Sequence, residues 1–235
     1  ILMATVSAVG IVAWGQTLYR KYEPTRLVEV ESAKPFDGGI DVVLRADTPI
    51  SPYKPGQFAT LAYSKARSEP HPFSIAGGDG HVRRFIIRSA GDWTDEFVRN
   101  VGVGDKLRLG SGVGRFLPQT KAKRRAQLWV AGGVGITPFL AAMERMHPDE
   151  NAAVNLIYCI RSRSSAGGLD DVEEHARRLP QLNLFVMGDE GKNRLSESNL
   201  TAIVQDMPAN AAAYVCGPEG LKTLVTNVWK AQRMN

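Results

Sequence analysis

The sequence predicts a mixed fold: a small antiparallel Greek-key β-barrel, then a parallel α/β sheet, preceded by the end of a transmembrane helix. Three observations predict it. Residues 1–19 carry no charge, residues 26–117 break into short β-type runs between turn residues, and from residue 127 short apolar runs alternate with segments of helical length. A chain of 235 residues with 43% hydrophobic content can bury two ordinary cores, so two domains are expected. The divisions are 1–22 for the membrane segment, 23–120 for the barrel and 121–235 for the α/β domain.

The opening ILMATVSAVGIVAWGQTLY is followed at once by Arg20 and Lys21. An apolar run of about 18 residues or more can cross a bilayer as a helix, and flanking basic residues mark the cytoplasmic side. A secretory signal would put basic residues ahead of the apolar run, and none stands there. The expectation is an inner-membrane protein with both domains on the cytoplasmic side; a buried helix is the alternative reading. The sequence starts without an initiator Met, which leaves room for further membrane helices upstream.

The barrel is read from six runs: RLVEVES, DVVLRA, QFATLAY, HPFSIA, RRFIIRS and DKLRLGS. Gly, Pro and Asp clusters separate them, as turns between short antiparallel strands require. One helix is expected inside this region, over 94–100, opened by Asp92, Trp93 and Thr94; its N-terminus is a natural anion site. KAKRR at 121–125 reads as a solvated linker. Beyond it come QLWVA, VNLIYCI, LNLFVM and AAYVCG, with helices expected over 137–146, 169–179, 196–206 and 219–233. Strands alternating with helices mean βαβ units and a parallel sheet.

Composition removes several function classes. A formal charge of +5 is spread along the chain apart from 121–125, so an anionic small ligand explains it as well as nucleic acid does. Cys159 and Cys216 are the only cysteines, too few for a disulfide scaffold or an iron–sulfur cluster, and the four histidines share no metal-ligand spacing. No metal site is expected.

Two motifs stand at strand ends, where parallel sheets bind ligands. In Gly132-Gly133-Val134-Gly135-Ile136-Thr137-Pro138-Phe139 the glycines let the backbone approach a pyrophosphate, and Thr137 and Pro138 start a helix whose amides face the anion. A plain strand-to-helix connection is the alternative for a glycine turn alone. Cys216-Gly217-Pro218-Glu219 follows the fourth strand.

PGQF at 55–58, HPFS at 71–74, GDWT at 91–94, GGVGITPF at 132–139 and CGP at 216–218 occur in order. Together they resemble the ferredoxin-NADP reductase superfamily and, within it, the dehydrogenase portion of the ferric reductases and NADPH oxidases. The resemblance covers the chain from Arg26 onward. It implies that the barrel binds FAD and that the α/β domain is Rossmann-like and binds NADPH.

The resemblance also assigns roles. His71, Pro72, Phe73 and Ser74 stand where the wider superfamily has Arg-x-Tyr-Ser. Phe73 then lies against the flavin ring and Ser74 near its reactive nitrogen, while His71 replaces the pyrophosphate arginine with a group that titrates near neutrality. A strand-edge proline turn with a core phenylalanine is the competing reading. The backbone at Ile87 and Arg88, the Arg88 guanidinium, Gly91, Trp93 and Thr94 would hold the flavin phosphates, with Trp93 equally readable as a core anchor.

Arg161, Ser162 and Arg163 follow the second sheet strand with no acid before Asp170, which favours NADPH over NADH. Lys192 and Arg194 would add a second cationic wall; an exposed surface position is the alternative for each. Cys216 would orient the nicotinamide without covalent catalysis. The expected reaction passes hydride from NADPH to FAD, then single electrons to a haem in membrane segments outside this chain, to ferric iron or to oxygen. A membrane-anchored soluble-type flavin or ferredoxin reductase with a diffusible acceptor is the alternative. The superfamily commonly ends in an aromatic residue over the flavin; here Trp229 is the last aromatic.

Overall fold

The computed structural model describes residues 25–64, 68–114, 116, 125–148, 153–188 and 193–233. The expected membrane segment at 1–22, the linker residues 121–124, Arg115 and Lys192 lie outside the described residues. No helix among the described residues is long and apolar enough to cross a membrane.

Six antiparallel strands build the first layer: β1 (Arg26–Phe36), β2 (Gly39–Arg45), β3 (Phe58–Tyr63), β4 (His71–Ser74), β5 (Val82–Arg88) and β6 (Lys106–Leu109). Their order is β4-β3-β6-β1-β2-β5. Just past the end of β4, Gly77 forms an isolated bridge to Arg84 of β5, so the sheet curls back on itself. In β2, Ile40, Val42 and Leu44 are buried, while Asp41, Val43 and Arg45 alternate with them, the period of two that a half-buried strand requires. Helix α1 (Asp92–Asn100) begins two residues before the expected start and sinks Phe97 into the barrel core.

β5 breaks the alternation, and its reason is functional. Phe85 and Ile87 belong to the barrel core, but Ile86, on the opposite face, is buried in the core of the second domain. Strand geometry puts Arg84 and Arg88 on that same outer face. Gly167 and Gly168 press onto Ile86 so closely that a Cβ on either would stand under 3 Å from its side chain.

The second domain has parallel strands β7 (Gln127–Gly132), β8 (Val154–Cys159), β9 (Leu182–Met187) and β10 (Ala212–Cys216), in the order β10-β7-β8-β9. β7 is buried on both faces, which is why LWVA reads as an unbroken apolar run. Trp129 faces the cluster under α2 (Thr137–Met143) and α3 (Leu169–Arg178). Leu128 and Val130 face the cluster under α4 (Glu197–Val204) and α5 (Glu219–Arg233). The chain runs outward from β7 through β8 to β9, then crosses back to place β10 on the other side of β7. Strand order therefore reverses between β7 and β10, the position where open α/β sheets bind ligands.

Candidate functional site

Both sequence-predicted glycine motifs meet at this reversal point. Gly133 takes a left-handed φ of 54° just after β7, and a tight helical turn over Gly133–Ile136 leads into α2. That turn has no side-chain cap, so its first amides remain available to an anion, whereas at the start of α2 the Thr137 amide bonds Val134 O and Pro138 has none. Gly135 lies against the end of β10: a Cβ there would stand 2.1 Å from the Cys216 carbonyl oxygen. Gly132 packs in the same way on Gly217 and Pro218. Ile136, Thr137 and Pro138 are buried, and the Thr137 hydroxyl donates to the Val134 carbonyl at 3.0 Å. These three hold the turn; Gly132, Gly133 and Val134 form its more open side.

A cleft of about 950 Å³ opens beside this turn, across the carboxyl ends of the parallel strands. Gly132, Gly133, Arg161, Arg194 and Pro218 line it, as does Arg88 from the barrel. Arg88 was expected at the flavin phosphates; the outer face of β5 carries it to the lining of this cleft. Arg163 is not brought there. Its guanidinium pairs with Glu173 at 2.6 Å and faces a smaller interdomain cleft of about 540 Å³. Ser162 caps the Arg163–Ser165 turn through a reciprocal pair of bonds with Ser165, shaping the bend after Arg161. Glu219 is exposed and pairs with Lys222. Cys159, Met187 and Gly188, which also line the cleft, carry no sequence signal beyond standing at strand ends.

The barrel supplies an aromatic wall. The His71 and Trp93 rings stack at 4.4 Å and 26°, Phe73 and Trp93 at 5.5 Å and 29°, and Trp93 and Phe97 at 5.0 Å and 14°. Trp93 is thus an anchor between β4 and α1. Its indole N–H and the nearby Tyr63 hydroxyl are buried without a partner among the described residues. β4 pairs only with β3, so Pro72 stands on an edge where its missing N–H breaks no ladder bond. Thr94 is committed locally: its hydroxyl donates to Gly91 O and accepts from Ala90 N, each at 2.9 Å. Ile87 points into the barrel core, leaving only its backbone for other uses. A Cβ on Gly91 would meet nothing within 4 Å, and the N-terminus of α1 has no side-chain cap.

The wall and the cleft are joined by a shared core. Ala76, two residues past Ser74, is buried in the cluster against which Tyr214 and Cys216 pack. Burial raises the Cys216 thiol above its ordinary range, against a smaller opposing pull from Lys222. Burial pushes the Cys159 thiol up to about 11. Both thiols are protonated at neutral pH, so neither is a ready nucleophile. No group of three or more His, Cys, Asp or Glu that could hold a metal exists among the described residues.

Residues 129–227 match the oxidoreductase NAD-binding domain family. The chain is 24% identical over 223 residues to a flavohemoprotein of Rhodopirellula baltica, covering 85% of this chain and 52% of that protein. It is also 24% identical over 192 residues to the toluate 1,2-dioxygenase electron transfer component of Pseudomonas putida, covering 77% and 55%. The chain thus spans about half the length of these relatives. Among solved structures, the flavohem-like FAD/NAD-binding domain of nitric oxide dioxygenase from Vibrio cholerae superposes with a TM-score of 0.74 at 18% identity, covering 88% of this chain and 92% of that one. The likeness is one of fold, an antiparallel sheet domain followed by a parallel α/β domain.

Proposed function

We propose that this chain is the reductase unit of a flavin-dependent electron-transfer enzyme, taking hydride from NADPH onto FAD and passing electrons to a separate acceptor. One observation carries the reading: the Gly132–Gly135 turn and the Cys216–Gly217 turn are clamped together at the strand-order reversal, in a cleft lined by Arg88, Arg161 and Arg194. Glycines and free amides suit a pyrophosphate, and guanidiniums suit a 2'-phosphate.

The barrel residues fit a flavin. Phe73 offers an aromatic face, Gly91 and the uncapped start of α1 leave room and donors for a phosphate, and the partnerless Trp93 and Tyr63 groups lie in the same wall. Bound FAD would supply the conversion of a two-electron donor into one-electron steps. The protein's own part is positional. Ser74 sits at the end of β4 as a hydroxyl within the flavin seat, and Cys216 fills the floor of the nicotinamide side as a protonated thiol. Ala76 and Ile86 of the barrel are buried in the core of the α/β domain, which keeps the two seats against each other.

The electron-transfer component and flavohemoprotein relatives support an acceptor that is an oxygenase component or a haem domain, and so favour the soluble-type reductase reading. The ferric reductase or NADPH oxidase type is the second reading, favoured by the HPFS form of 71–74 and by the uncharged run at 1–19. In it, 1–22 anchors the chain to the inner membrane, with both domains on the cytoplasmic side. An absorption spectrum of the membrane-extracted parent protein before and after NADPH separates the two. Flavin bleaching with reduced haem bands from membrane segments supports the second; flavin bleaching alone supports the first; no bleaching defeats both.

A further inference from the structure

The stretch HPFSIAGG does not stop at the flavin seat. Its last two residues touch the other domain: Gly78 N donates to Glu144 Oε2 at 3.0 Å. A Cβ on Gly77 would stand 2.1 Å from Glu144 Oε1 and 2.6 Å from Glu144 Cδ. Gly77 is buried, and its φ is not among the left-handed glycine angles of the chain. Its backbone is therefore open to any residue. What a side chain there would displace is the Glu144 carboxylate, which lies on its Cα.

Glu144 directly follows α2. The other end of α2 carries the nucleotide turn, about 10 Å away along a helix rising 1.5 Å per residue. From Ser74 to Gly77 is a similar distance, about 10 Å of extended chain. α2 and the end of β4 are thus two arms of similar length, one leading to the nucleotide turn and one to the flavin seat, joined at the Glu144–Gly77 contact. The next residue strengthens the joint: the Arg145 guanidinium lies 4.7 Å over the ring of Tyr53, a barrel core residue with Arg83 on the same ring at 4.8 Å. No motif of the sequence points to Glu144, and it lines neither cleft, although it feels the charges of Arg84 and Asp171 at the edge of the smaller one.

We propose that Glu144 is a positioning residue for hydride transfer: its carboxylate, seated on Gly77 and Gly78, sets the spacing between the nicotinamide and flavin seats. The inference rests on the functional reading above. Hydride transfer needs the reacting atoms at about 3–3.5 Å, and an error near 1 Å costs on the order of 100-fold in rate. A contact that fixes domain spacing should act on the rate at saturation and leave affinity for either cofactor alone.

The test uses FAD-loaded protein mixed anaerobically with NADPH, reading the limiting rate of flavin bleaching, the Kd for NADP+, flavin content and Tm. Glu144→Ala should slow bleaching at least ten-fold with NADP+ affinity and flavin content within two-fold of wild type. Glu144→Gln, which keeps an acceptor for Gly78 N–H, should stay within three-fold. Gly77→Ala should slow bleaching as Glu144→Ala does, because its methyl evicts the carboxylate. The double variant Gly77→Ala/Glu144→Ala should be no slower than Gly77→Ala alone, since both changes remove one contact. A Glu144→Ala rate within two-fold of wild type, or multiplicative losses in the double variant, overturns the inference by itself. Wild-type protein that binds FAD but is not bleached by NADPH overturns the functional reading and this inference with it.

Discussion

Replacing Gly135 by alanine probes the clamp on which the nucleotide site depends. The added Cβ would lie 2.1 Å from Cys216 O, 2.7 Å from Cys216 C and 3.2 Å from Gly217 N, whereas ordinary contact begins near 3.4 Å. Every one of these atoms is backbone, so no side chain can swing aside. The two turns must separate by more than about 1 Å, and overpacking of this kind costs roughly 1–3 kcal/mol of stability. The same separation displaces the pyrophosphate turn from the nicotinamide side of the site, a loss on the order of 100-fold in hydride transfer. Gly133→Ala is the control for stability alone: a Cβ there meets no protein atom within 4 Å, and only the φ of 54° is strained, at a cost of about 1 kcal/mol. Thermal unfolding, NADP+ titration and anaerobic flavin bleaching read the outcome. Gly135→Ala with nucleotide affinity and bleaching rate both within three-fold of wild type would refute the clamp.

Four further outcomes follow from particular contacts. Joint replacement of Arg161 and Arg194 by alanine should raise the KM for NADPH by roughly 10- to 100-fold and leave that for NADH nearly unchanged, from the loss of charge-assisted bonds to the 2'-phosphate; Arg163→Ala, whose side chain pairs with Glu173, should alter the preference less than two-fold. Arg88→Ala should weaken NADPH binding while flavin content stays constant, and a loss of flavin instead would return Arg88 to the flavin phosphates. Arg84 bonds Asp41 and Asp171 at once, at 2.5 Å each, and two carboxylates hold it firmly charged despite the burial that opposes this. With Arg84 20% and Asp41 14% exposed, Arg84→Ala should cost roughly 2 kcal/mol in urea unfolding, between the exposed and buried limits, and Asp171→Ala, at 41% exposure, under about 1 kcal/mol. The Cys159 thiol, raised by burial from 9.0 to about 11, favours the folded state fully below pH 9 and loses that contribution as pH climbs to 11. Cys159→Ala should therefore reduce the fall in stability across that window by roughly 2–3 kcal/mol.

Elements were legible where local pattern suffices. All six β-type runs of the barrel are strands, and the sheet strands and helices fall where the change of period put them, because each element buries at least one face within its own domain. β5 shows the limit. RRFIIRS announces a strand, but one sequence does not distinguish a face that meets water from one that meets another domain. The interdomain positions of Arg84, Ile86 and Arg88 were therefore not legible, and Arg88, expected at the flavin phosphates, lines the cleft at the strand ends. Glycines at 132 and 135 were read as room for a pyrophosphate, while much of their need comes from Cys216, Gly217 and Pro218, some eighty residues later in the chain. Thr94 was expected at the flavin phosphates, and its hydroxyl bonds within its own turn. Glu144 had no pattern at all, since its partner is a glycine Cα brought to it only by the docking of two domains.

The most direct test of the account is a single turnover. FAD-loaded protein is mixed anaerobically with NADPH or NADH at increasing concentration, and the oxidised flavin band is followed in time. Bleaching that saturates, with half-saturation at lower NADPH than NADH, is the predicted result. A protein that binds no flavin, or binds it and keeps its oxidised spectrum under NADPH, contradicts the claim that these two domains hold a flavin and a nicotinamide face to face.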